Sequence, residues 1–212
     1  MNNFFDVNSI FYRTLYKVYQ IVVLNVLFIL ASIPLVTIGA TTTALYVVSF
    51  KIHSGTLEGG LPRAFFRAFK ANFRKATLIW AGVMTVLALI LFAWPLLAAA
   101  IHAFAPLFYV FILIVTVLML SLTYIFPLLA RFENSIKQTI KNAYIMSLAN
   151  IAYSIIALVI NFVVMVVVPI YLSQLLFLWI FTAFAFAAFA NSFILNHVFQ
   201  KYIEKEEKEE KK

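Results

Sequence analysis

The chain has no cysteine, few glycines, and three long stretches from which charge is missing altogether. Without cysteine there can be no disulfide, thiolate metal site or cysteine nucleophile. Gly55, Gly59 and Gly60 are not followed by the Lys-Ser/Thr of a phosphate-binding loop. No H-E-x-x-H or other metal-ligand cluster occurs. The missing charge decides the most. Residues 18–50, 76–130 and 142–200 are 33, 55 and 59 residues long and contain no Asp, Glu, Lys or Arg. A soluble domain spreads charge over its whole surface. Stretches this long without charge are solvated by lipid.

What is present agrees. The chain is 65% hydrophobic and 11% charged, against about a quarter charged in soluble domains. The formal charge of +8 belongs to the cytoplasmic face and its anionic headgroups rather than to nucleic acid. The apolar run from Val18 to Val36 is longer than a secretory signal core of about 7–15 residues. It reads as a retained membrane helix. The expected class is an all-α polytopic membrane protein: a single transmembrane domain over 1–200 and a charged tail over 201–212.

A helix needs about 20 residues to cross the ~30 Å hydrocarbon core. The two longer stretches therefore hold two spans each, near 77–95, 106–130, 150–169 and 173–196. Trp94-Pro95 to Pro106 and Pro169 to Gln174 supply the turns. The 33-residue stretch is tight. It holds either two short helices around a tip at Pro34, or one full span and a re-entrant or protein-shielded helix over 40–52. An even number of crossings in every stretch puts all 16 Lys and Arg on one side, as the positive-inside rule asks. Six segments in three hairpins follow, with both termini cytoplasmic.

Between Pro62 and Lys75 the spacing predicts an amphipathic interfacial helix. Arg63, Arg67, Lys70 and Arg74 form a basic stripe, and Phe65, Phe66, Phe69 and Phe73 a neighbouring aromatic stripe turned toward lipid. A second helix is expected over 131–149, with Glu133 paired to Lys137. The tail is expected to extend the last helix through Glu204–Lys208 and Glu207–Lys211 pairs. His53 and His197 fall at cytoplasmic edges and His102 in an outside turn, as interfacial residues rather than proton relays. Asn25, Asn161 and Asn191 are read as interhelical hydrogen-bonders. In the last span Ala183, Ala187 and Ala190 form a packing stripe, with Phe186, Phe189 and Phe193 on another face.

The run from Pro34 through Thr37, Gly39, Thr41, Thr42, Thr43 and Ala44 to Tyr46, with the run from Ala64 to Thr77, resembles the YesL-like family of bacterial membrane proteins. Thr37 and Thr41–Thr43 can satisfy backbone groups freed around Pro34 and Gly39. The resemblance implies no chemistry, since members are largely of unknown function. It implies a setting beside carbohydrate importers. The expectation is therefore a non-enzymatic accessory or scaffold protein, without cofactor or metal, whose partners are lipid and membrane subunits of a sugar importer. Pro34, Thr37, Gly39, Thr41 and Tyr46 with Arg63, Phe66, Arg67, Phe69, Lys70, Phe73 and Arg74 form the expected contact surface. A channel for a neutral solute is the alternative. An intramembrane serine hydrolase, for which no motif speaks, is the third reading.

Overall fold

The structure, a computed structural model, describes residues 10–210. It is all-helical there: α1 (Ile10–Ala31), α2 (Ile38–Ser54), α3 (Leu61–Ala103), α4 (Pro106–Arg131), α5 (Ile136–Ala149), α6 (Ile151–Phe162), α7 (Val168–Tyr171) and α8 (Leu176–Glu210). A π-helical turn, Val163–Val167, joins α6 to α7 into one rod. Six segments are long and apolar enough to cross a membrane: α1, α2, α3, α4, the α6–α7 rod and α8. Consecutive segments touch as hairpins, but the most extensive packing is of α2 on α3, α4 on α5 and α1 on α8.

The first hairpin turns where proline and threonine dictate. Pro34 stops α1, and the Thr37 hydroxyl donates to the carbonyls of Ala31 and Pro34, each at 2.6 Å. Thr41 donates to Ile38 O at 2.9 Å and Thr43 to Gly39 O at 2.8 Å. The hydroxyls thus take up backbone acceptors that have no water to turn to. At its other end α2 closes on Gly55, whose φ of 69° suits a residue without Cβ. The Gly55 and Thr56 amides reach Ile52 O and Lys51 O in a Schellman motif.

Helix α3 departs from expectation twice. It runs 43 residues without a break, about 65 Å. The amphipathic segment 62–75 and the following span are one helix, so the basic stretch does not lie separately along the membrane surface. No turn forms at Trp94-Pro95 either. Pro95 sits inside the helix, and the link to α4 is only Phe104 and Ala105. One missing N–H within a helix frees fewer polar groups than ending the helix in hydrocarbon.

The core is built around α2. Ala40, Ala44 and Val48 are fully buried, and Ala64, Phe65, Ala68 and Ala76 of α3 pack in the same cluster. Small residues at four-residue spacing on both helices let the backbones approach closely. Gly39 marks the tightest point: a Cβ there would lie 2.6 Å from Ala76 O and 2.8 Å from Trp80 Cβ. Beside it the Trp80 indole donates to Leu35 O at 2.9 Å.

These contacts fix a level along α3. The α1–α2 tip meets it at Ala76–Trp80. The apolar part of α3 continues to Ala103, about another 35 Å. Helix α2 therefore lies beside the part of α3 that carries Arg63 to Lys75, sheathed by protein. Leu35–Ser54 is nonetheless one of the six segments long and apolar enough to cross a membrane, so this packing is compatible with a full crossing.

The uncharged polar side chains hold helices together. Asn25 of α1 clamps α8, donating to Ile180 O at 2.8 Å and accepting from Ala185 N at 2.9 Å. Asn191 Nδ2 donates to Asn161 Oδ1 at 2.8 Å. Ser154 of α6 donates to Ser147 O at 2.7 Å and lies 3.1 Å from the Tyr124 hydroxyl. Trp179 caps the Val164 carbonyl within the π turn at 2.6 Å. Ala183 and Ala187 are buried while Phe186 and Phe193 are exposed. Phe189 stays half-buried, its ring stacked 4.2 Å from His53.

Helix α5 forms as expected, but its cap is Ser135, which accepts from Gln138 N. Glu133 lies before that cap, off the helix, and the expected pairing with Lys137 does not form. Helix α8 carries the tail to Glu210. No ion pair forms between Glu204 and Lys208, and the Glu207–Lys211 pair lies outside the described residues.

Candidate functional site

Two groups of residues were expected to share one contact surface, and the fold separates them by burial. In the turn group, Thr37, Gly39, Thr41 and Tyr46 are buried and only Pro34 is exposed. Tyr46 points inward, beside Asn191 of α8. Gly39 sits in the α2–α3 joint, Thr37 and Thr41 brace the α1–α2 tip, and Tyr46 faces α8. Thr and Gly at such spacing serve close helix packing as well as they serve a recognition loop.

The second group stays in reach. Leu61, Ala64, Phe65, Ala68, Ala76 and Ile79 form the buried side of α3. Arg63, Phe66, Arg67, Lys70, Phe73 and Arg74 are all exposed. Their spacing of three and four residues puts them on one face. The aromatic stripe therefore divides. Phe65 goes to the core, Phe69 is half-buried, and Phe66 and Phe73 stand among the cations, 45% and 40% exposed. The apolar side of this helix meets α2, not lipid. Lys75 at its end donates to Asn134 O across to the α4–α5 link, which braces the segment against a second element.

This face can do two things chemically. Four cations on one rigid helix attract an acidic surface, and two exposed phenyl rings among them supply apolar anchors. Among the described residues no carboxylate pairs with any of them. Helix α5 adds a similar face, with Lys137 and Lys141 exposed beside Ile140 and Tyr144.

The histidines reveal what spacing along the chain could not. His53 ends α2 and His197 lies late in α8, yet both line one open cavity of about 450 Å³ with Tyr153 and Gln200. His53 Nε2 lies 3.2 Å from Phe189 O, and a carbonyl only accepts, so the proton sits on that nitrogen. His102 is apart, at the end of α3.

Residues 21–94 match a family described as "Protein of unknown function, DUF624". The matched stretch covers most of α1, all of α2, and α3 as far as Trp94. It holds the Gly39 joint and the whole exposed basic face. The match is consistent with the YesL-like resemblance without confirming that name. No curated protein and no solved structure matches the chain.

Proposed function

We propose that the protein is a non-enzymatic accessory subunit of the bacterial cytoplasmic membrane that docks on the membrane subunits of a carbohydrate importer. The exposed face of α3 is its docking surface, and both termini lie on the cytoplasmic side. One observation carries the reading: α3 locks one face into the core and leaves Arg63, Phe66, Arg67, Lys70, Phe73 and Arg74 free on the other. Arg and aromatic side chains on a rigid element are the residue types that dominate protein interfaces. The positive-inside rule supports the orientation. The importer rests on the resemblance at residues 34–46 and 64–77.

The test is purification from native membranes in mild detergent. Importer subunits co-purify with the wild type. Phe66→Ala with Arg67→Glu lowers their recovery on the order of tenfold while the protein's own level and melting temperature hold. Recovery of no importer subunit with the wild type refutes the partner. Full recovery with the double variant refutes the surface. Nothing favours the solute-channel alternative, because Asn25, Asn161 and Asn191 are engaged between helices.

A further inference from the structure

A second basic site lies away from the α3 face. Between the start of α1 and the end of α2 is an open cavity of about 550 Å³, into which Arg13, Lys17 and Lys51 all border. That volume falls within the ~300–1,000 Å³ of small-molecule sites. No described carboxylate lines it. Ile52 and Leu57 give it an apolar side. Gln20 also borders it, is only 6% exposed, and makes no hydrogen bond to another described residue. Its side chain offers both an amide donor and a carbonyl acceptor to that cavity. Three cations and an unused amide around one cavity together call for an oxyanion.

The surroundings select the source of that anion. Phe11, Leu15, Val18 and Tyr19 are exposed along α1, and the exposed Tyr12 and Tyr16 border the cavity itself. Tyrosines in such a row mark headgroup depth, and the apolar residues between them face acyl chains. A basic pocket between helices at that depth fits a lipid phosphate. We infer that the cavity is a binding site for the phosphodiester headgroup of an anionic phospholipid. Arg13, Lys17 and Lys51 hold the phosphate, Gln20 donates to one of its oxygens or to a headgroup hydroxyl, and the acyl chains run along the exposed side of α1.

The experiment is native mass spectrometry of the purified full chain, titrated with phosphatidylglycerol and, separately, phosphatidylcholine. The wild type retains phosphatidylglycerol in preference. Arg13→Gln/Lys17→Gln/Lys51→Gln weakens that binding on the order of a hundredfold, since each cation near an anionic headgroup contributes roughly fivefold. Gln20→Leu, which leaves charge unchanged, also weakens it. Arg63→Gln/Arg67→Gln/Lys70→Gln on the α3 face leaves it as it was. Equal retention of the two lipids overturns the site, as does equal loss in the α3 variant. Should the triple variant fail to fold, Gln20→Leu decides, and unchanged binding there overturns the proposal. Displacement of the lipid by millimolar inorganic phosphate or glycerol 3-phosphate overturns the lipid source and assigns the cavity to a soluble phosphate.

Discussion

Gly39 and Gly82 show how differently one residue type can act within a single fold. A methyl at Gly39 has Ala76 O at 2.6 Å, backbone that cannot swing aside, while at Gly82 nothing lies within 4 Å. Gly39→Ala is expected to cost roughly 1–3 kcal/mol through overpacking. Gly82→Ala is expected to gain about 0.5–1 kcal/mol by helix propensity. Thermal unfolding of the two variants in one detergent checks both signs. Asn25 and Asn191 are both fully buried. Asn25→Ala removes the two bonds that join α1 to α8, to Ile180 O and from Ala185 N, and Asn161→Ala removes the acceptor of the buried Asn191 amide; each is expected to cost roughly 1–3 kcal/mol. The same unfolding assay measures both. The role of Thr37 was legible, because a hydroxyl three residues after a proline has its acceptors nearby. The role of Gly39 was not, because its neighbour Ala76 lies on another helix and no spacing along the chain announces it.

At the scale of the element, α3 joins two segments that composition had separated. The charge block up to Lys75 and the apolar run after it looked like two helices, with a proline turn closing the second. Continuity prevailed because no glycine or proline stands at the junction, and Pro95 falls where breaking the helix costs more than one hydrogen bond. The amphipathic pattern itself was legible; which way each phenylalanine turned was not. Phe65 and Phe66 are adjacent and their rings meet edge-on at 5.6 Å, yet one is buried and the other exposed, because α2 supplies a second apolar surface that only Phe65 reaches. Single cysteines in this cysteine-free chain report the two sides directly. Maleimide is expected to label Arg67→Cys and Lys70→Cys fast, and Ala68→Cys on the order of a hundredfold more slowly, as for a backbone that opens only by local unfolding. Equal rates at Ala68 and Arg67 would mean that α3 is free of α2.

For the whole molecule, the hairpin plan was written in the gaps between charges, and the level at which each hairpin sits was not. Span counting treats every apolar run as crossing one slab, whereas the tip at residues 32–37 meets α3 at Trp80, well short of its far end at Ala103. That offset arises from contacts between distant helices, which hydropathy does not encode. The orientation has its own check. Ser54→Cys, Glu133→Cys and Gln200→Cys should react with an impermeant thiol reagent from the cytoplasmic side, and Ser173→Cys from the other. Labelling of Arg13→Cys from outside would instead mean an odd number of crossings before α3. The offset also gives α3 two arms about one pivot. Its basic arm lies beside α2; its apolar arm, from Trp80 to Ala103, is about 35 Å long and leads into the short link to α4. A tilt of about 5° at the Gly39 joint carries the 103–106 turn through about 3 Å. A partner gripping one arm thereby works a lever whose other end reaches the far end of the hairpin.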